Sequence, residues 1–304
     1  MSAGLTPMVR IPGGTFLMGS TEFADEGPVH RRTVDPFELD LHPVTTAQFA
    51  DFVIATGYVT TAERPLDPAD LPGAEPPALA AGSLVFTRTS GPVDLRDWRQ
   101  WWRWVPGASW RHPGGPGASV DDLADHPVVQ VSFEDAAAYA AWAGKRLPTE
   151  AEFEFAARGG LDGARFAWGD EEFPDRRLMV NRWQGRFPYE NTGAAGWFGT
   201  SPVRAFPPNG YGLFDVTGNV WEWTTDFYAP RHWPPGESSP VETGSRANLL
   251  ADVSAEPGSR IPRRVLKGGS HLCSPDYCLR YRPAARSPQA DDSAATHIGF
   301  RCAR

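Results

Sequence analysis

The stretch HPVVQVSFEDAAAYAAWAGKRLPTEAEFEFAARGG, residues 126–160, predicts an extended segment followed by two short capped helices. The apolar run at 128–131 is typical of a strand. The tetrapeptide SFED at 132–135 begins an alanine-rich helix that runs through Trp142 and ends at Gly144. The tetrapeptide TEAE at 149–152 begins the second helix, which ends at the glycine pair 159–160. A strand beside two short helices favours an α+β fold.

The residues on either side extend this pattern of short elements. The tetrapeptide TTAQ at 45–48 is a capping box for a further helix that ends at Gly57. The other predictions are strands at 264–266 and 297–301 and long surface loops at 65–83 and 229–262. Glycine (31) and proline (30) make one fifth of the 304 residues, which predicts many turns. Since no repeat or composition break divides the chain, we expect a single domain, residues 1–304.

The composition excludes several classes of protein. Hydrophobic residues at 41% and aromatic residues at 12% argue against disorder. The formal net charge of −8 disfavours nucleic-acid partners and acidic membranes, because neutralising phosphates requires a basic surface. Three cysteines are too few for a disulfide-stapled scaffold or a zinc site with four cysteine ligands.

The apolar segments indicate a cytoplasmic protein. Residues 1–14 have neither the charged region nor the apolar region of a signal peptide. No run approaches the 18 or so apolar residues that cross a bilayer. We therefore expect a cytoplasmic location, no membrane association and a reducing environment.

Several catalytic and binding motifs are absent from the sequence. The seven histidines form neither H-x-x-x-H nor H-E-x-x-H, and no phosphate-binding glycine loop is present. Residues 96–110, RDWRQWWRWVPGASW, interleave arginine with five tryptophans. Such a segment stacks bases in some proteins, but here packing or the lining of a peptide groove agrees better with the negative charge.

The strongest local signal is the pair Cys273 and Cys278, five positions apart in CSPDYC. Two thiolates suit a soft ion such as Cu(I), which tolerates low coordination. Nearby arginines, among them Arg280 and Arg282, favour the thiolate forms. The alternatives are a small disulfide and two buried, inert thiols.

A second signal is the octapeptide DVTGNVWE at 215–222. Asp215 and Glu222 flank a turn at Gly218, and the intervening carbonyls, such as that of Val220, can converge on one ion. Oxygen ligands of this kind suit Ca²⁺. The alternative is a side-chain-capped turn that leads into a strand with a buried Trp221.

Beyond these local signals, the chain resembles the formylglycine-generating enzymes of the sulfatase-modifying factor family. The segments that carry the resemblance are IPGGTFLMGS (11–20), WRHPGGPGAS (110–119), the stretch 126–160, NRWQGRFP (181–188), PPNGYGLFDVTGNVWEW (207–223), KGGSHLCSPDYCLRYRPAARS (267–287) and GFRC (299–302). The segments KRLPTEAE and GNVWEW are shared with noncatalytic relatives, whereas the segment with both cysteines is specific to the catalytic branch. The resemblance implies a C-type-lectin-like fold.

The resemblance also implies an activity and its partners. The family oxidises a cysteine within a C-x-P-x-R segment of a sulfatase polypeptide to Cα-formylglycine, with O₂ and a thiol reductant. It binds Cu(I) at the positions that match Cys273 and Cys278. We expect the chain to act as a monomer.

The matching positions imply further roles. Ser270 and Tyr277 would position O₂ or substrate beside the copper pair, and Trp221 would line the oxygen pocket. Arg286 would contact the peptide, Trp102 would form a groove wall, and Asp67 would pair with the substrate arginine. For calcium, Asp215, Gly218, Val220 and Glu222 match one family site, and Asn181, with the carbonyls of Arg182 and Trp197, matches another.

The sequence departs from the family pattern at several positions. Pro43 replaces a glutamate of the substrate-arginine pocket, Ala195 replaces a calcium-binding aspartate, and His297 replaces an asparagine near the active site. Cys302 matches a disulfide position but has no partner cysteine, so we expect a buried free thiol.

Two other functions fit parts of the pattern. A noncatalytic C-type-lectin-like binding module would share the fold, and the cysteine pair is the feature that distinguishes it. An iron-dependent sulfoxide synthase would need a histidine cluster and a further helical domain, which the sequence lacks.

Overall fold

Three helices begin at the predicted capping sequences. In the computed structural model they are α1 (Thr46–Thr56), α2 (Phe133–Trp142) and α3 (Glu150–Arg158). At each start the N-cap hydroxyl accepts the N3 amide N–H, and the N3 side chain accepts the N-cap N–H. Both α1 and α3 end at a glycine with left-handed backbone, Gly57 and Gly159. The three helix predictions are confirmed.

A fourth helix, α4 (Ala247–Ser254), lies inside the predicted loop 229–262. The structure describes residues 4–66, 79–233 and 247–304, and within these the loop prediction was wrong at α4. The Ser254 hydroxyl accepts the Arg263 N–H at 2.9 Å, and the Ser254 carbonyl accepts Arg263 Nε at 2.6 Å. Because an eight-residue helix is marginal alone, these tertiary bonds stabilise it, and local sequence carries little sign of them.

Ten strands in the described residues form four small sheets. The largest has the order β10-β7-β8-β9, with β10 parallel to β7 and the other pairs antiparallel. The two-stranded sheets are β1-β4, β2-β3 and β5-β6, all antiparallel. The strands are β1 (Met8–Ile11), β2 (Gly14–Met18), β3 (His30–Val34), β4 (Phe37–Asp40), β5 (Gly82–Phe86), β6 (Trp102–Pro106), β7 (Trp221–Phe227), β8 (Arg263–Lys267), β9 (Arg286–Ala290) and β10 (Ile298–Gly299).

The strand predictions have mixed outcomes. The segment 264–266 is strand β8, as predicted, and 297–301 contains only the two-residue β10. The segment 128–131 is not a strand, so that prediction was wrong. Gln130 has φ of +62°, which breaks an extended run, and the Val128 N–H pairs instead with the Val44 carbonyl at 2.9 Å.

Among the described residues the buried side chains form two large clusters and one small one. The first surrounds α1 and α2 and includes Phe49 and Tyr139, and the second surrounds α3 and includes Phe153. The small cluster contains Trp101, Trp183, Phe187 and Leu272, and it forms one wall of the cavity described below. These elements and clusters confirm the α+β class. No helix in the described part of the chain has the length and apolarity needed to cross a membrane.

Candidate active site

A cavity of about 340 Å³ lies where three strands begin. Trp102 is the first residue of β6, Trp221 of β7 and Arg286 of β9, and all three line the cavity. The loop after β8 contributes further lining residues, among them Ser270, Cys273 and Cys278. The cavity therefore depends on the four-stranded sheet and the β5-β6 hairpin together.

Seven of the residues predicted for catalysis or substrate binding line this one cavity. They are Trp102, Trp221, Ser270, Cys273, Tyr277, Cys278 and Arg286. The eighth, Asp67, lies outside the described residues. Pro43 is buried ahead of α1 and does not line the cavity.

The two cysteines meet because the chain turns sharply between them. The Cys273 N–H donates to the Ser270 carbonyl at 2.9 Å, and the Cys278 N–H donates to the Ser274 carbonyl at 3.0 Å. Before this turn, Gly269 has φ of +74°, and a Cβ there would lie 2.3 Å from the Arg280 carbonyl oxygen. Only glycine fits that approach.

The thiols of Cys273 and Cys278 are free, and they lie close enough for each to shift the pKa of the other. Burial raises the pKa of Cys273 well above its usual value. The hydrogen bond from Cys273 is the main cause that lowers the pKa of Cys278, and Arg280 adds to it. One sulfur therefore favours the thiolate while the other donates to it, which is an arrangement suited to a soft cation.

Aromatic rings form the wall of the cavity beside the two cysteines. The Tyr277 ring stacks on Phe187 with centroids 4.6 Å apart, and it meets Trp101 edge-on at 5.6 Å. Trp101 and Trp102 both come from the arginine- and tryptophan-rich segment 96–110, so that segment lines a groove, as one of its two interpretations predicted. Packing fixes the position of Tyr277 although its side chain is partly exposed.

Arg286 lines the cavity, but its guanidinium is already well bonded. Nε and Nη2 donate to the two carboxylate oxygens of Glu150 at 2.8 and 2.9 Å. Nη1 donates to the carbonyls of Asp25 and Ala229. The contact of Arg286 with a peptide stays a prediction, whereas its bonds here hold α3 against the cavity.

Local sequence gave no sign of two cavity residues, Phe23 and Asp25. They flank the start of the short 3-10 helix Ala24–Glu26, and Asp25 pairs with Arg280 at 3.0 Å. About 250 positions separate these partners, so only tertiary folding brings them together. His297, noted above as a departure from the family pattern, also lines the cavity.

The residues predicted for calcium lie apart from this cavity. Both oxygens of Glu222 accept hydrogen bonds from Arg301, at 2.7 and 2.8 Å. Burial raises the pKa of Asp215 to about 6, and one of its oxygens accepts the Arg204 N–H. Asp215 and Glu222 are both buried near Arg301, whose guanidinium pairs with the Glu222 carboxylate, so Asp215 is the carboxylate whose charge an added cation would balance.

Asn181 lies beside this group of residues. Its carbonyl oxygen accepts the Asn219 N–H at 2.8 Å, and a Cβ on Gly218 would lie 2.6 Å from the same oxygen. The Asn181 amide donates to the Gly199 carbonyl at 2.9 Å. The structure thus brings Asn181 next to Gly218, and a calcium ion at either position stays a prediction.

The free-thiol prediction for Cys302 is confirmed, since Cys302 is buried and forms no disulfide. Its backbone N–H donates to Asp40 at 2.8 Å. This thiol does not line the cavity.

Comparison with known proteins gives consistent matches along the whole chain. A family model described as the sulfatase-modifying factor enzyme 1-like domain matches residues 2–304. A formylglycine-generating enzyme of Mycobacterium tuberculosis is 59% identical over 98% of this chain and 97% of its own length. Another, from Thermomonospora curvata, is 48% identical over 97% of this chain and 92% of its own length.

A solved structure agrees with the fold. PvdO from Pseudomonas aeruginosa matches with a TM-score of 0.63 and 25% identity, covering 98% of this chain and 93% of its own. The α+β architecture described above is therefore one that a solved structure shares.

Proposed function

Since this chain belongs to the sulfatase-modifying factor enzyme 1-like family and is an enzyme of the formylglycine-generating class, we propose that it oxidises a sulfatase cysteine with Cu(I) and O₂. The substrate is a polypeptide segment of the form C-x-P-x-R. The observation that carries the proposal is the pair of free, neighbouring thiols of Cys273 and Cys278 in one cavity with Trp102, Trp221 and Tyr277.

The donor set fits Cu(I). Two soft sulfur ligands, one of them already favouring the thiolate, suit a univalent soft ion. In the described residues no group of three or more histidine, cysteine or acidic side chains is placed to hold an ion. Cys273 and Cys278 would therefore hold copper alone and leave open positions for the substrate thiol and O₂. When bound, Cu(I) supplies the electron transfer that activates O₂, which these side chains do not provide.

Electron counting explains the need for a reductant. Converting a CH₂–SH group to an aldehyde with loss of H₂S removes two electrons, whereas reducing O₂ to water consumes four. Two further thiols, oxidised to a disulfide, supply the remaining two electrons and two protons. A thiol reductant therefore belongs to the proposal.

The residues of this chain prepare the cavity for the reaction. The Ser270 backbone N–H donates to the Cys273 sulfur, with 3.4 Å between nitrogen and sulfur, and this bond partly offsets the burial that raises the pKa of Cys273. Trp102, Trp221 and Tyr277 surround the sulfurs with aromatic surface that excludes water and orients the peptide. We also propose a monomeric, cytoplasmic enzyme, in keeping with its free cysteines.

The test is oxidation of a C-x-P-x-R peptide. With added Cu(I), O₂ and a thiol reductant, mass spectrometry should show the peptide cysteine replaced by an aldehyde. Omitting copper after chelation should stop the reaction. A folded, copper-loaded protein that leaves the peptide unchanged would contradict the proposal and favour a noncatalytic binding module.

We also propose a structural Ca²⁺ at Asp215, Gly218, Val220 and Glu222. Because the ion would bind the folded state, adding Ca²⁺ should raise the melting temperature, and chelation should lower it. The carboxyl of Asp215, with its pKa raised to about 6 by burial, binds a proton in competition with the ion. The calcium-dependent shift should therefore shrink as the pH falls below 6.

Differential scanning fluorimetry at several pH values measures this shift. Asp215→Asn removes the unbalanced charge and should abolish the response to Ca²⁺. A melting temperature that complete chelation leaves unchanged would show that Arg301 is sufficient as the cation of this site.

A further inference from the structure

His297 differs from the other six histidines in its hydrogen bonding. Each of the others has a ring nitrogen bonded to a named partner: Pro28 for His30, Pro43 for His42, Ala118 for His112, Thr200 for His126, Glu150 for His232 and Asn219 for His271. Within the described part of the chain, no ring nitrogen of His297 forms a hydrogen bond, and Nδ1 is buried. A histidine ring that forms no hydrogen bond in the protein and lines a cavity is suited to bond a polar group of a bound ligand.

The position of the His297 ring is fixed by its neighbours. Its backbone carbonyl accepts the Trp221 N–H at 2.8 Å, and its ring lies 4.7 Å from the Trp102 ring. Both tryptophans line the same cavity as Cys273 and Cys278. The ring is therefore held at the active site without being bonded there.

The ring is neutral, and this limits what it can do. Burial, with a smaller effect from His271, lowers the pKa of His297 to about 3. A base this weak does not take a proton from a thiol, whose usual pKa is about 8.5. Nor is His297 placed to share an ion with the cysteines, since no group of three possible ligands occurs among the described residues. Hydrogen bonding is the function that remains.

The burial of Nδ1 decides which nitrogen carries the proton. A buried N–H without a partner is rarer in proteins than an acceptor without one. The proton therefore belongs on Nε2, and Nδ1 keeps an unshared lone pair. Nε2 is not among the buried, unbonded polar atoms and His297 lines the cavity, so Nε2 is the ring nitrogen that a ligand can reach.

We propose that His297 is a positioning residue whose Nε2–H donates to a backbone carbonyl oxygen of the polypeptide substrate. This inference rests on the proposed function, because that function brings a polypeptide into the cavity. An extended peptide presents a carbonyl at every residue, and Trp102 beside the ring forms the wall along which it would lie. The bond would hold the reacting cysteine over the Cys273 and Cys278 sulfurs.

The experiment separates substrate binding from turnover. The probe is a fluorescent peptide in which serine replaces the reacting cysteine, and its Kd is measured by anisotropy. His297→Leu should raise this Kd, and the KM of the cysteine peptide, about tenfold, as expected for one lost hydrogen bond. The Cu(I) affinity and the melting temperature should change little. If His297→Leu folds poorly, His297→Phe keeps a ring beside Trp102 without an N–H.

Two amide variants test which nitrogen donates. The glutamine amide reaches the position of Nε2, and the shorter asparagine amide reaches that of Nδ1. His297→Gln should restore binding to within about twofold of wild type, and His297→Asn should not. Restoration by Asn alone, or unchanged Kd and KM in His297→Leu, overturns the proposal.

The outcomes also distinguish the two proposals. A wild-type protein that binds the serine peptide through His297 but oxidises no cysteine would contradict the proposed function and leave this inference standing. Normal peptide oxidation by wild type, together with the same Kd in wild type and His297→Leu, would contradict this inference and leave the proposed function standing. A wild-type protein that does not bind the peptide overturns the inference.

Discussion

Replacing Cys273 or Cys278 with serine should lower kcat/KM for the peptide by at least about a thousandfold, because a hard hydroxyl replaces a soft thiolate ligand. Each variant should also lose tight Cu(I) binding, since one sulfur is too few to hold the ion. The fold should be retained, because serine keeps the size of the side chain closely. Competition with a Cu(I) chelator measures affinity, and mass spectrometry measures the aldehyde.

The chain offers a matched control in its third cysteine. Cys302 is also buried and free but does not line the cavity. Cys302→Ala should therefore keep both Cu(I) binding and peptide oxidation, apart from a loss of stability. Full activity in Cys273→Ser or Cys278→Ser would show that the thiol pair is not the reacting centre.

Lys267→Met should destabilise the protein by about 3–5 kcal/mol, the usual cost of removing one partner from a buried ion pair. The Lys267 ammonium is fully buried and lies 2.9 Å from Glu154 and 3.7 Å from Glu150. Without it, both carboxylates lose a cation in a region closed to water. Because Glu150 also holds Arg286 at the cavity, peptide oxidation should fall as well.

Denaturant unfolding measures the loss, and two variants give the controls. Lys267→Met with Glu154→Gln should recover part of the stability, since the neutral amide no longer needs a cation. Arg165→Gln breaks an exposed pair with Glu22 and should cost no more than about 1 kcal/mol. A Lys267→Met variant as stable as wild type would mean that Arg158 and Arg286 neutralise the carboxylates alone.

The same network predicts how stability depends on pH. Burial opposes the ionisation of Glu154, but Lys267 and Arg158 outweigh it and lower the pKa of Glu154 to about 2. An acid with a lowered pKa in the folded state adds stability that is fully present above its unfolded pKa, about 4.5. That stability is lost as the pH falls from 4.5 toward 2. Lys267→Met should reduce this acid dependence in unfolding curves recorded over that range.

Local sequence was sufficient for the elements whose start and stop are encoded within a few residues. The boxes at Thr45, Ser132 and Thr149 satisfy the first free N–H groups of α1, α2 and α3 without help from the rest of the chain. The loop prediction at α4 was wrong because Arg263, nine positions beyond Ser254, makes the bonds that stabilise it. The strand prediction at 128–131 was wrong because the left-handed backbone of Gln130 is set by tertiary contacts.

The sequence by itself determined the helix starts, the cysteine spacing and, through resemblance, the family and seven residues that prove to share one cavity. Only the tertiary structure decided what surrounds them. It placed Asp25 beside Arg280, paired the guanidinium of Arg286 with Glu150 and left the ring of His297 without a hydrogen bond to any described residue. The physical reason is the separation of the interacting residues along the chain. The hydrogen bonds of a capping box join residues within four positions, whereas the burial and pairing of charges depend on segments that meet only after folding.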